Sequence, residues 1–230
     1  QKLLKAWSGA AGRIDISFKH PAKTVGITPL NFSSKKAWET VDYSKNRDTV
    51  YYWNTFGADT LKLLIADDSL GFADTIKVGL LHDKSSPKLT IKTNIGDSNA
   101  YDLGKEIIVE FSHPVISHDF NKVAVSIKKD SLSFADIPVN INFEDPALRR
   151  MAIKYEWIAD SSYILSIPKG SFKDMFGMEN DSFNLNFKTR AESYYGAARL
   201  DMVVPHIRHT YIFQLYNAAG VLVDERFITP

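Results

Sequence analysis

The chain has 230 residues, enough for two domains of about 100 residues each, and its 44% apolar, 12% aromatic and 24% charged composition is that of a globular protein able to bury a core. Its 28 basic and 27 acidic residues leave a formal net charge of +1, and Lys and Arg are scattered apart from pairs such as Lys35-Lys36, Lys128-Lys129 and Arg149-Arg150. Neither nucleic acid nor an anionic membrane is therefore an expected partner. The absence of cysteine excludes disulfides, Cys-ligated metals and thiol catalysis.

Taken in order, short segments rich in Ile, Val, Tyr, Phe and Thr predict strands at Arg13 to Lys19, Asp48 to Trp53, Thr60 to Ile65, Thr75 to Leu81 and Lys88 to Thr93. They continue at Glu106 to Phe111, Val123 to Ile127, Tyr163 to Ile167 and Phe183 to Lys188. Ile14, Ile16 and Phe18 alternate with Asp15, Ser17 and Lys19, so one face of that strand is core and the other wet. No long helical period appears, and no apolar run reaches the roughly 20 residues that cross a bilayer. Gln1 opens the chain without a signal-like segment, so it reads as soluble, with no direct membrane insertion.

An internal echo divides the chain. Arg13-Ile-Asp-Ile-Ser-Phe-Lys-His-Pro21 parallels Glu106-Ile-Ile-Val-Glu-Phe-Ser-His-Pro114, and Ala58 to Ile65 parallels Asp160 to Ile167. Asp74-Thr-Ile-Lys-Val78 parallels Asp181-Ser-Phe-Asn-Leu185. Two related all-β sandwiches are expected, over residues 1–85 and 86–190, with seams in the polar stretch His82 to Pro87 and near Arg190 to Ser193. Beyond the second seam, Tyr211 to Tyr216 and Val221 to Phe227 flank Asn217-Ala-Ala-Gly220, a β-hairpin signature. Residues 191–230 read as the hairpin-containing start of a third module, whole or truncated.

Phe111-Ser-His-Pro-Val115 and the later Tyr163-Ile-Leu-Ser-Ile-Pro-Lys-Gly-Ser-Phe-Lys-Asp-Met-Phe-Gly177 carry a resemblance. With them, residues 86–190 resemble the bacterial immunoglobulin-like domain of the S-layer-protein type. The whole chain looks like the interior of larger Gram-negative envelope lipoproteins that carry such domains. The resemblance implies tandem immunoglobulin-like antiparallel β-sandwiches, an extracytoplasmic location in the periplasm or at the cell surface, and a lipid anchor upstream of Gln1. The first repeat departs from the pattern, with Ala66-Asp-Asp-Ser-Leu-Gly71 in place of the Pro-x-Gly-x-Phe-x-Asp-x-x-Gly segment. In the second, Pro114, Gly170 and Gly177 are read as turn formers.

Candidate sites are few. His206 with His209, and His113 with His118, are the nearest histidine groupings, but these odd spacings point strand side chains to opposite faces, and no metal is expected there. Asp67-Asp68, and Asp174 with Glu179, Asn180 and Asp181 around Gly177, offer oxygen ligands of the kind calcium takes, or the self-bonding side chains of turns. Tyr51, Tyr52, Trp53, Tyr194 and Tyr195, with Trp38 beside them, are candidate stacking rings for a sugar. On a strand at least one of Tyr51, Tyr52 and Trp53 is core, and Trp157 reads as a core tryptophan. No nucleotide loop, serine elbow, zinc helix or marked carboxylate pair is present.

The leading expectation is thus a non-enzymatic structural or protein-interaction module needing no cofactor, with envelope proteins or surface glycans as partners. The alternatives are a carbohydrate-binding module using the named aromatic rings, or an accessory domain of a larger enzyme.

Overall fold

A computed structural model describes residues 1–32, 38–67, 71–81, 88–130, 133–196, 201 and 208–228. The chain divides into two units, Gln1–Glu192 and Ser193–Pro230. Among the described residues no helix is long and apolar enough to cross a membrane.

The first unit opens with β1 (Leu3–Ala10), β2 (Arg13–Phe18), β3 (Gly26–Pro29), β4 (Glu39–Tyr43), β5 (Thr49–Asn54), β6 (Thr60–Asp67) and β7 (Phe72–Gly79). Antiparallel pairing orders them as β1-β2-β5-β4 and β3-β6-β7. Lettered A to G in chain order, these are the A-B-E-D and C-F-G sheets of a constant-type immunoglobulin sandwich. Period-two alternation drives the arrangement: Ile14 and Ile16 of β2 and Leu61, Leu63 and Ile65 of β6 are all 0% exposed, in one core with Phe18, Val50 and Tyr52.

A second core follows, built from β8 (Ile91–Thr93), β9 (Ala100–Tyr101), β10 (Ile107–Phe111), β11 (Val115–His118), β12 (Ala124–Lys128) and β13 (Phe134–Ile137). It is completed by β14 (Asn140–Phe143), β15 (Arg150–Lys154), β16 (Ser162–Ile167), β17 (Phe172–Asp174) and β18 (Phe183–Thr189). The sheets run β14-β15-β10-β8 and β13-β12-β16-β18-β9. Without β9, β13 and the small β11-β17 pair, this is the strand order of the first sandwich. The fold is all-β, two immunoglobulin-like antiparallel sandwiches in tandem.

The internal echo falls on equivalent strands. Ile14, Ile16 and Phe18 of β2 match Ile107, Val109 and Phe111 of β10, all buried. Past the shared Phe-x-His-Pro, the Ala22 N–H donates to the Arg47 carbonyl at 2.7 Å, as that of Val115 does to Leu148 at 3.4 Å. Arg47 and Leu148 both take a left-handed φ, 56° and 51°. Tyr163, two residues ahead of the buried Leu165 on β16, accepts the Ile158 N–H at 3.0 Å, which anchors the loop before the strand in the manner of the tyrosine corner of immunoglobulin folds. Gly170 (φ 72°) and Gly177 (φ 83°) are turn formers, as expected of them.

Several strands were not legible from periodicity. β1 is half-buried without alternation, and β15 buries Met151, Ala152 and Ile153 in succession, which gives no period of two. β3, β4, β13 and β14 have only four or five residues each. The strand expected at Thr75 to Leu81 spans Phe72–Gly79. The seam at His82 to Pro87 lies outside the described residues.

In the second unit β19 (Tyr211–Tyr216) pairs with β20 (Leu222–Ile228). Gly220 takes φ 74°, and the Asn217 carboxamide oxygen accepts the N–H groups of Ala219 and Val221, so the turn has the residues its conformation needs.

Candidate functional site at the junction of the two sandwiches

Tyr51, Tyr52 and Trp53 lie on β5, where alternation separates them. Tyr52 turns into the first core, 1% exposed, and its hydroxyl donates to the Glu39 carboxylate. Burial, and then the Glu39 charge, push this phenol far above its ordinary range. Tyr51 and Trp53 turn to the outer face of the four-stranded sheet, where a ring is ordinarily wet. Trp53 is nevertheless 1% exposed, because the second sandwich covers it.

The cover is specific. The Arg149 guanidinium carbon lies 4.9 Å from the centre of the Trp53 ring, and that of Arg13 lies 5.4 Å from it. His113 meets the indole edge-on, 6.3 Å between centres, and packs edge-on to Phe176 at 5.2 Å. Arg149 also donates from Nη1 to Asp42 of β4 at 3.3 Å, so one guanidinium both caps the ring and pairs with the sheet below it. A desolvated cation over an indole contributes about 2 kcal/mol.

Glycine makes the approach possible. Gly12, in the β1-β2 turn at φ 68°, would place a Cβ 2.6 Å from Phe176 Cζ and 2.8 Å from both Met175 Cε and the Asn54 carbonyl. No larger residue fits there. At Gly9 a Cβ would meet the Asp15 carboxylate at 2.4 Å. That carboxylate holds Arg13 in place at 2.7 Å.

On the other side of the junction, Asp174 organises the loop that presents Phe176. It is 0% exposed; its Oδ1 accepts the N–H groups of Phe176 at 2.9 Å and Met178 at 2.8 Å, and its Oδ2 lies 3.0 Å from His113 Nδ1. Asn180, also 0% exposed, accepts the Phe172 N–H and donates to the carbonyls of Pro168 and Asp181. Of the acidic loop considered for calcium, Asp174 and Asn180 are thus consumed by turn hydrogen bonds, while Glu179 and Asp181 point to solvent. Asp67 is buried at the end of β6, and Asp68 lies outside the described residues. Among the described residues no group of three or more His, Asp or Glu gathers to hold a metal.

The remaining candidates disperse. Tyr194 and Tyr195 are 60% and 40% exposed but stand at 86° to each other, so they form no flat strip. Tyr52 and Trp53 offer no face to a sugar, which leaves the stacking expectation with Tyr51, Tyr194 and Tyr195. The Trp38 N–H donates to Thr55 Oγ1 at 2.9 Å, and its carbonyl accepts the Thr55 N–H at 3.0 Å. Trp157 is buried, with its indole N–H on the Lys105 carbonyl at 2.8 Å. His118 packs on Phe120 and Phe143, away from His113; His206 lies outside the described residues.

Sequence reasoning missed the pairing of His113 with Asp174 and the clasp of Arg149 on Trp53. The signal available was the Phe-x-His-Pro echo, which marks a structurally repeated corner.

No protein-family model matches the chain, and no curated protein matches it. Among solved structures it is similar to domains 5-6 of the S-layer protein SbsC, at 9% identity and TM-score 0.28, covering 83% of this chain and 99% of that one. It is also similar to Dpr2 Ig1-Ig2, solved in complex with DIP-Theta Ig1-Ig3, at 8% identity and TM-score 0.25, over 81% and 94% of the two chains. A third is a chimeric titin Z1Z2, at 10% identity and TM-score 0.24, over 83% and 96%. The immunoglobulin-like assignment rests on the strand order, not on likenesses this distant.

Proposed function

We propose that this chain is a non-enzymatic structural and interaction module of a bacterial cell-envelope protein, in which two sandwiches are clasped into one stiff spacer. The observation that carries the reading is Trp53, an outward-facing ring at 1% exposure under Arg149 and His113. Joints between domains move by default unless the interface is large and apolar. This one is pinned instead by a guanidinium on a buried indole and by an ion pair.

The extracytoplasmic setting is supported by the resemblance of residues 86–190 to S-layer-type domains, the lipid anchor by that of the whole chain to the interior of envelope lipoproteins, and the partners are envelope proteins or surface glycans. Residues 191–230 are read as the start of a third module. The exposed apolar side chains of β19-β20, among them Ile212, Leu215, Val223 and Phe227, are those of a ribbon that needs further strands, since an isolated hairpin is marginal in water.

Because the chain has no cysteine, single thiols can be introduced at exposed Lys62 and Lys128, one in each sandwich, and spin-labelled. Pulsed dipolar spectroscopy on the full chain is expected to give one narrow distance, broadened by Gly12→Val. A broad distribution in the parent protein overturns the spacer reading.

A further inference from the structure

The end of the first sandwich away from Trp53 is made by the β2-β3 loop, the β4-β5 turn and the first residues of the chain. Backbone and side-chain bonds knit these three segments together. The Lys19 N–H donates to the Lys2 carbonyl at 2.9 Å, Gln1 reaches the His20 carbonyl at 2.7 Å, and the Val25 N–H reaches the Tyr43 hydroxyl at 3.4 Å. Arg47 lies 4.0 Å over the Tyr43 ring and donates to the carbonyls of Ala22 and Lys23, which clamps the loop to the turn.

This knot gathers charge that is dispersed in the sequence. Lys2, Lys19, Lys23, Lys45 and Arg47 all end here, together with His20, and each is exposed. None of them is ion-paired among the described residues, whereas every other described arginine of this unit is: Arg13 to Asp15, Arg149 to Asp42, Arg150 to Glu110 and Glu144, and Arg190 to Asp102. Asp48 accepts from the Ser44 and Thr49 hydroxyls and makes no ion pair with these cations. The five cations outnumber Asp48 and Asp67 at this end, so a chain with a net charge of +1 carries one basic end.

The equivalent end of the second sandwich shows what docking another sandwich requires, and it is different. There His113 and Arg149 close over a ring and Phe176 packs behind His113; here the matching positions are exposed His20 and half-buried Asp48. We infer that the basic end of the first sandwich binds an acidic polysaccharide, a chain of repeated carboxylate groups. Several unpaired ammonium groups spread over three fixed segments suit a repeating polyanion better than a single small anion. The inference goes beyond the spacer reading and stands or falls apart from it, since it uses none of the junction residues.

The test is binding of the full chain to polygalacturonate, with neutral dextran, phosphatidylglycerol vesicles and duplex DNA as parallel arms. Expected are binding to polygalacturonate that weakens about tenfold or more between low and moderate salt, and no binding to dextran. The triple variant Lys19→Glu, Lys23→Glu, Lys45→Glu is expected to lose it at an unchanged melting temperature. The triple variant Lys62→Glu, Lys77→Glu, Lys92→Glu, with the same change in net charge at exposed positions elsewhere, is expected to keep it. Equal loss in both variants, retention in the first, or a preference for vesicles or DNA over polygalacturonate overturns the proposal.

Discussion

The two sandwiches share a strand order but treat the same corner differently. In both, Phe-x-His-Pro leads out of the second strand of the four-stranded sheet, and a left-handed residue, Arg47 or Leu148, leads into the third. At the second sandwich that corner carries Arg149 and His113 and seals a tryptophan; at the first it carries lysines and meets solvent. Alternating core residues decide the fold, while a few loop residues decide what each end meets. The comparison is most exposed at Trp53. Trp53→Ala is expected to cost about 3–5 kcal/mol and to split one cooperative urea transition into two. A single transition shifted by less than about 1 kcal/mol would mean that the ring does not join the sandwiches.

Asp174→Ala attacks the same junction from the other side. It leaves the half-buried Phe176 and Met178 N–H groups without their acceptor and releases His113, so a loss of about 2–3 kcal/mol is expected. Hydrogen exchange checks it: protection should fall first in the β17 loop and next around Trp53. Loss confined to the loop would uncouple the turn from the clasp.

Much of the fold was legible because burial here follows the pleat. β6, β10 and β16 place alternate residues at near-zero exposure, and their sequences show it; β2 does so except at Asp15, expected on the wet face but 5% exposed because it pairs with Arg13. β15 was not legible, since Met151, Ala152 and Ile153 are all buried and a continuous run has no period. The junction was hidden for a different reason. The strand pattern sets Tyr51 and Trp53 on the face opposite Tyr52 without saying which face is core, and only tertiary packing from Arg149 and His113 covers Trp53. The basic end was likewise hidden, because Lys2, Lys19 to Lys23 and Lys45 to Arg47 are far apart in sequence and nearly cancelled in the total charge.

A smaller effect tests whether the second sandwich has a device that the first lacks. Tyr163 on β16 holds the Ile158 N–H, while the equivalent residue in β6 is Leu61, which has no hydroxyl to offer. Tyr163→Phe removes one acceptor from a loop and is expected to cost about 1 kcal/mol, read as a shift in thermal midpoint. The first sandwich, built without this anchor, sets the comparison: a neutral substitution would show that the corner is dispensable in both.

The smallest expected effect concerns the position that matches Trp53 in the second sandwich. Ile14 pairs with Tyr52 and Ile107 with Ile153, so the Arg13–Trp53 pair corresponds to Glu106–Lys154. That pair is an ion pair at 3.0 Å with side chains 41% and 47% exposed, out in water where the cost of holding two long side chains offsets most of the attraction. Lys154→Ala is therefore expected to change stability by less than about 0.5 kcal/mol, and a double-mutant cycle with Glu106→Ala should find a coupling no larger. A coupling above about 1 kcal/mol would mean that this face too is held away from solvent, and that the contrast between a sealed position on one sandwich and a wet one on the other is wrong.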